Sequence, residues 1–170
     1  MAGVRAVLGF DDPRVLAWGP GRQEERQVCV VAVEEALVLV GADRAEAVAW
    51  HEIVQGGWDK PSARLHWQFL DGTGGQVVLD TAGELPRVFN DRVNSSIVAR
   101  EVVQVGGGRV LLAGRRRGGR LGRQDPSILW TALAKGDADL TDPDTEALVV
   151  ERTQALRQEW EGVDGATPSR

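Results

Sequence analysis

The sequence predicts an α+β protein of mainly β character: a bent antiparallel sheet, or partly open barrel, capped by a helix and followed by a C-terminal β-hairpin and helix. Three observations predict this class. Short β-branched or alternating segments separated by turn residues fill the chain up to about residue 80, as is typical of antiparallel strands. One amphipathic segment follows at residues 84 to about 103. Two further apolar runs and a last helical segment complete the chain.

The first strands are predicted from composition and turn chemistry. Residues 15–18 are apolar, and Gly19-Pro20-Gly21 after them predicts a turn. Residues 28–33 and 36–40 are rich in β-branched side chains, and Glu34-Glu35 between them predicts a tight hairpin. Residues 47–54 are predicted as one strand with a bend or bulge near His51.

Alternation and periodicity predict the middle elements. Residues 64–69 alternate with period two, which places Leu65, Trp67 and Phe69 on one face. A glycine-rich loop at residues 71–75 leads to a returning strand at 76–80. In the predicted helix, apolar residues recur every four positions, and Pro86 fits the first turn, where no N–H is needed.

The C-terminal third extends this unit. Residues 109–113 and 128–133 are predicted as two strands joined by a loop at 114–123 that is rich in glycine and arginine. Thr141 or Asp142 can cap a final helix with Pro143 in its first turn. Residues 163–170 are small and polar, which predicts a flexible tail after a single domain at residues 1–162.

Composition indicates an ordinary globular domain. The chain has 170 residues, of which 42% are hydrophobic and 26% charged. No apolar run reaches the roughly 18 residues of a membrane span, and the first ten residues lack a signal-peptide core. The single cysteine, Cys29, lies in an apolar run and has no partner for an internal disulfide. We therefore expect a cytoplasmic protein without a transmembrane segment.

Several segments carry a resemblance to a known family. They are Val15-Leu16-Ala17-Trp18, Val31-Ala32-Val33-Glu34-Glu35-Ala36-Leu37, Ala49-Trp50-His51-Glu52-Ile53, Trp58-Asp59 and Arg92-Val93-Asn94-Ser95-Ser96-Ile97-Val98. Through them the chain resembles an uncharacterised actinobacterial family with a pleckstrin-homology-like fold. The resemblance implies a strongly bent antiparallel sheet capped by a helix and supplies no catalytic residue. Folds of this kind serve as platforms for phosphoinositides, peptides or partner proteins, so function must be argued from a site.

The charges of the first predicted loop argue against phosphoinositide binding. That site needs clustered Lys and Arg, whereas at residues 19–27 the cations Arg22 and Arg26 are offset by Glu24 and Glu25. The net charge of -5 likewise argues against general attraction to anionic lipid or nucleic acid.

The strongest local signal is an arginine segment at residues 115–123. Its candidate phosphate-binding residues are Arg115, Arg116, Arg117, Arg120 and Arg123. A guanidinium fork can donate two hydrogen bonds to phosphate, and glycines allow close approach. The alternative is a solvated hairpin tip whose arginines pair with acidic residues between Asp137 and Asp144. No aromatic residue is interleaved for base stacking.

Motifs for catalysis and metal binding are weak. His51 and Glu52 are adjacent in a predicted strand and so point to opposite faces, and packing is the better interpretation of His51, Glu52 and Asp59. Neither His51 nor His66 has metal-ligand spacing around it. The sequence therefore predicts a module that is not an enzyme, has no cofactor or metal, and binds another protein through a sheet edge or its last helix. The alternative is a nucleic-acid or ribonucleoprotein accessory factor that contacts phosphates through residues 115–123.

Overall fold

The computed structural model describes residues 2–164, with side chains described for residues 2–162. The chain forms two compact units. Unit 1 consists of the residues up to Ser96 together with Arg117–Ser127, and unit 2 consists of Ile97–Arg116 together with the residues from Ile128 onward. Within the described part of the chain, no helix is both long and apolar enough to cross a membrane.

Unit 1 is built on one seven-stranded antiparallel sheet. Its strands are β1 (Val15–Gln23), β2 (Arg26–Val33), β3 (Ala36–Val40), β4 (Ala45–Ala49), β5 (Gln55–Asp59), β6 (Arg64–Gln68) and β7 (Gly74–Leu79). Their spatial order is β4-β3-β2-β1-β7-β6-β5. The sheet has β4 and β5 at its two ends, so it is open, and the prediction of an antiparallel, mainly β fold is confirmed without a closed barrel.

Two helices fill the two apolar faces of unit 1. Helix α2 (Leu85–Ser96) contributes Leu85, Val88 and Phe89 to the larger core, where Phe89 meets Trp50 edge to face at 5.8 Å between ring centroids. Helix α1 (Ala2–Leu8) places Val4 in a second cluster with strand residues of β2 and β3. Both faces of the β2–β3 hairpin are therefore buried, which agrees with the continuous apolar runs of these strands.

The predicted turn at Gly19-Pro20-Gly21 is wrong. β1 continues through these residues to Gln23, and the chain reverses at Glu24-Glu25, where Glu24 has a φ of 56°. A side chain at Gly21 would lie 2.7 Å from the Val78 carbonyl oxygen. Gly21 therefore permits the close approach of β7, a tertiary requirement that resembles a turn signal in the sequence.

The strand predicted at residues 47–54 is interrupted. A short 3₁₀ helix, Trp50–Glu52, separates β4 from β5. The Trp50 indole is buried and donates a hydrogen bond of 2.9 Å from Nε1 to the Val33 carbonyl. Satisfying a buried indole N–H in this way stabilises the break in the strand.

Helix α2 ends at Ser96, about seven residues before its predicted end, and β8 (Ile97–Val105) follows directly. The Ser96 hydroxyl donates to the Val93 carbonyl at 2.7 Å, which satisfies a backbone acceptor at the helix end. The next nine residues include Ile97, Val98, Val102, Val103 and Val105, and β-branched side chains favour strands. Pairing with the strand at Gly108–Arg116 stabilises a strand here instead of a continued helix.

Unit 2 is a three-stranded antiparallel sheet with one long helix. β9 (Gly108–Arg116) lies between β8 and β10 (Ile128–Gly136), and α4 (Pro143–Asp164) packs on one face through Leu148, Val149 and Leu156. The predicted hairpin is therefore present, but longer and joined by a third strand. Asp142 caps α4, since its Oδ2 accepts a 2.9 Å hydrogen bond from the Thr145 N–H. The helix reaches Asp164, and residues 165–170 of the predicted tail lie outside the described residues.

Candidate functional site

The five candidate arginines do not share one flexible loop. Arg115 and Arg116 end strand β9 in unit 2. Arg117, Arg120 and Arg123 belong to unit 1, in and before helix α3 (Gly119–Gln124). The loop predicted at 114–123 is thus replaced by the end of a strand and a short helix.

Arg115 is part of a packed sheet face, not of a solvated tip. Its exposed fraction is 5%, and burial lowers the pKa of its guanidinium from the ordinary value. Arg116, the next residue, is exposed, as expected for alternation along a strand.

Arg117 forms an ion pair within unit 1. Its Nη1 lies 2.5 Å from Oδ2 of Asp125. Hydrogen bonds from Ser127, reinforced by Arg117, hold the pKa of Asp125 below its usual value. The partner is therefore Asp125 and not one of the acidic residues at 137–144 expected from the sequence.

Arg120 is held by two contacts of different kinds. Its guanidinium lies over the Phe10 ring, 4.9 Å from the ring centroid. Its backbone N–H donates a 2.8 Å hydrogen bond to Oε1 of Glu35, whose exposed fraction is only 4%. Of the five candidates, only Arg116 and Arg123 are exposed with a guanidinium group that makes no ion pair or hydrogen bond to another described residue. The structure thus leaves the arginine segment with two uncommitted guanidinium groups, too few for the continuous patch expected from the sequence.

The residues weighed for acid–base chemistry differ in burial and in hydrogen-bond partners. His51 is buried in the 3₁₀ helix, whereas Glu52 beside it is exposed. Asp59 accepts a hydrogen bond from the Ser62 hydroxyl. Among the described residues, no group of three or more His, Cys, Asp or Glu is placed to hold a metal ion.

Two open grooves lie at the end of unit 1 that carries the β1–β2 and β3–β4 turns. The first, of about 460 Å³, is lined by Arg26 and Arg44 but also by Asp43 and Glu46. The second, of about 490 Å³, lies between α1 and the residues around Gly41. Because both signs of charge line the first groove, it favours no ligand of one charge.

Trp18 is the most exposed large apolar side chain of the described residues, at 69%. It lies on β1 opposite the buried Val31. The other five tryptophans of the chain are buried or half-buried. An indole left in water on a regular strand is an unusual feature and a candidate contact for a partner.

The strand that carries Trp18 has one incompletely paired edge. β1 pairs with β7 only at Gly21 and Arg22, and the Asp80 N–H donates to the Pro20 carbonyl at 3.0 Å. Residues 15–18 of β1 therefore have a neighbouring strand only on the β2 side among the described residues. The exposed Trp18 indole therefore lies on the part of β1 that has a strand partner on one side only.

Comparison with known proteins gives no match. No protein-family model, no curated protein and no solved structure is significantly similar to this chain. Its function is therefore inferred from its residues and their geometry alone.

The sequence did not single out Trp18 as an exposed residue. It assigned residues 15–18 to a strand, which is correct, but alternation cannot tell which face of a central strand stays uncovered. The number of tryptophans, six in 170 residues, was the only available signal.

Proposed function

We propose that this protein is a cytoplasmic, non-catalytic binding module that recognises another protein through the surface around Trp18. The observation that carries the proposal is the 69% exposure of the Trp18 indole in a chain whose other tryptophans are buried or half-buried. Tryptophan is among the residues most enriched at the energetic centres of protein interfaces, because its large rigid ring buries much area at low entropic cost.

Residues 15–18 of β1 have no paired strand on the β7 side in the part of the chain that the structure describes, and this supports the same surface. A strand that lacks a neighbour on one side can accept an extended segment of a partner, with backbone hydrogen bonds supplying affinity and side-chain contacts supplying specificity. A partner strand beside residues 15–18 would lie next to the indole. This arrangement favours a protein ligand over a small molecule.

The fold adds indirect support. A seven-stranded antiparallel sheet whose last strand is followed by a packed helix is compatible with a pleckstrin-homology-like fold, and we propose that unit 1 is a divergent member of that group. Such folds commonly act as binding platforms, although fold alone does not determine function. His51 is buried whereas the neighbouring Glu52 is exposed, which favours binding over acid–base catalysis.

The first experiment compares co-purification of the wild-type chain with that of Trp18→Ser. Tagged full-length protein is recovered from its native cells after gentle cross-linking, with and without nuclease, and the co-purifying proteins are quantified by mass spectrometry. We expect one near-stoichiometric, nuclease-resistant partner whose recovery falls about tenfold or more with Trp18→Ser, because truncating a hot-spot tryptophan costs about 2 kcal/mol or more of binding free energy.

Leu70→Ser is the matched control. Leu70 is also an exposed apolar residue of unit 1, at 48%, but lies in the turn between β6 and β7. Its variant should keep the partner, and thermal unfolding should show both variants folded. Equal recovery with wild type and Trp18→Ser would exclude the Trp18 surface, and loss of all partners on nuclease treatment would favour the nucleic-acid alternative.

A further inference from the structure

The three-stranded sheet of unit 2 has one face covered by α4 and a second face of different chemistry. Directly opposed residues of antiparallel strands share a face, so the register defines the second set. It comprises Arg100, Val102 and Gln104 of β8; Arg109, Leu111, Ala113 and Arg115 of β9; and Leu129, Thr131, Leu133 and Lys135 of β10. We call this set the basic face.

All charges on the basic face are positive. Arg100, Arg109, Arg115 and Lys135 lie on it, and none of its eleven residues is acidic. Arg115 is buried, as are Ala113 and Thr131 beside it, so the accessible cations are the other three. The chain as a whole carries a net charge of -5, so this segregation of cations is local. Such a surface complements a partner with carboxylates or phosphates.

An apolar row crosses the centre of the basic face. Val102 pairs with Leu111, and Leu111 pairs with Leu133, so these three side chains lie side by side across the strands. Val102 is 53% exposed, although valine on a regular strand is ordinarily packed, and the two leucines are half-buried. The row offers apolar contact between two groups of cations.

The cations flank this row on both sides. On one side of the row, Arg109 and Lys135 are each two residues from the leucine of their own strand. On the other side of the row, Arg100 is two residues from Val102. Arg100 and Arg109 are exposed, and their guanidinium groups make no ion pair or hydrogen bond with another described residue. These two guanidinium groups are available to an external carboxylate.

The spacing of the row matches an α-helix laid across the strands. Neighbouring strands are about 4.8 Å apart, so the row spans about 10 Å. Residues i and i+7 of a helix are about 10.5 Å apart along its axis, so i, i+3 or i+4, and i+7 would meet the three apolar side chains. Positions two residues apart on a strand are separated by about 6.7 Å. The cations therefore lie beneath the flanks of a helix about 10 Å wide.

We propose that the basic face of unit 2 is a docking site for an acidic amphipathic helix of a partner protein. Its apolar stripe packs on Val102, Leu111 and Leu133, and Glu or Asp on both flanks pair with Arg100 and Arg109. This site goes beyond the proposed function at Trp18, since it uses other residues in another unit. The chemistry argues against single-stranded nucleic acid, because no aromatic residue lies on the basic face for base stacking.

The test uses the full-length protein and a fluorescent synthetic peptide of 18 residues. The peptide has leucines at i, i+4, i+7 and i+11 and glutamates on both flanks; its control has the same composition in scrambled order. Fluorescence anisotropy should give saturable binding of the amphipathic peptide and about tenfold or weaker binding of the scrambled one, since only the first forms an apolar stripe. Raising the salt concentration should weaken binding without abolishing it.

Variants locate the site. Arg109→Glu should weaken peptide binding at least about tenfold, because it replaces attraction to the glutamates of the peptide by repulsion. Val102→Thr, which keeps the β-branched shape of an exposed residue, should weaken it several-fold. Arg123→Glu, the same charge change at an exposed residue of unit 1, should leave the affinity within about twofold, as should Trp18→Ser. Circular dichroism establishes that each variant is folded.

Four results would overturn the proposal. They are equal binding of the scrambled peptide, an equal effect of Arg123→Glu and Arg109→Glu, tighter Arg109-dependent binding of a single-stranded oligonucleotide of the same net charge, or a dimer in sedimentation that Val102→Thr abolishes. The third would assign the face to nucleic acid, and the fourth to a second copy of this chain. Because Trp18→Ser serves as a control, failure here would not affect the proposal for unit 1.

Discussion

At the scale of single residues, the Glu34-Glu35 turn and the Gly118-Gly119 pair meet closely within unit 1. A side chain on Gly118 would lie 2.2 Å from the Glu34 carbonyl oxygen, and one on Gly119 would lie 2.1 Å from Oε1 of Glu35. Gly119 also has a φ of 55°, in the region that favours glycine. The glycines near the arginines are therefore required for packing, whatever ligand the arginines bind.

Gly119→Ala should destabilise the protein by roughly 2 kcal/mol or more. Alanine at a positive φ costs about 1 kcal/mol, and displacement of the buried Glu35 carboxylate adds to this. Gly72→Ala is the control, because Gly72 has a φ of 83° but no atom within 4 Å of an added side chain. Urea unfolding should show a clearly larger loss for Gly119→Ala, and equal losses would mean that the contact with Glu35 contributes nothing.

At the scale of elements, α2 determines how the core of unit 1 closes. Phe89 is buried and lies against Trp50, and a side chain on Gly56 of β5 would lie 3.0 Å from its Cζ. One aromatic ring thus joins the helix, the 3₁₀ break and the last strand of the sheet. The break between β4 and β5 is part of the same packing arrangement.

Phe89→Ala should therefore cost about 3–5 kcal/mol in the free energy of unfolding, the usual range for removing a buried phenylalanine. Asn90→Ala, at the next and exposed position of the same helix, should change it by no more than about 0.5 kcal/mol. Chemical denaturation of the full chain measures both. A small loss with Phe89→Ala would indicate that the core around Trp50 can collapse to fill the space.

At the scale of the whole molecule, the net charge is negative although some local segments are positive. The chain carries 20 basic and 25 acidic residues. Binding to polyanions must overcome long-range repulsion, and the arginine segment contributes only two uncommitted guanidinium groups, those of Arg116 and Arg123. This distribution favours selective contact with a protein over general attraction to nucleic acid.

We accordingly expect no saturable binding of a mixed-sequence 20-nucleotide RNA or DNA at about 150 mM salt, measured by fluorescence anisotropy. If binding occurs at low salt, Arg116→Glu and Arg123→Glu should each reduce the salt slope by about one. Strong binding at about 150 mM salt, with a salt dependence that corresponds to several neutralised phosphates, would make the nucleic-acid alternative the leading function.

Elements with local sequence signals could be predicted from the residues alone. The runs at residues 28–33 and 36–40, the alternation at residues 64–69 and the capping residue Asp142 all predict what the structure contains. In each case the identity of neighbouring residues is enough, because β-branching, alternation and a capping carboxylate act over a few residues. The mainly β, α+β class follows from these signals.

The other features depend on contacts between residues that are distant in the sequence. The apolar pattern of residues 97–105 is compatible with an amphipathic helix or with a strand, and hydrogen bonding to β9 stabilises the strand. Gly21 looks like a turn residue until β7 is placed against it, and Arg115 looks like a solvated cation until its strand is packed. Trp18 and the basic face could not be located in advance, because a local pattern shows which side chains share a face but not which faces another element covers.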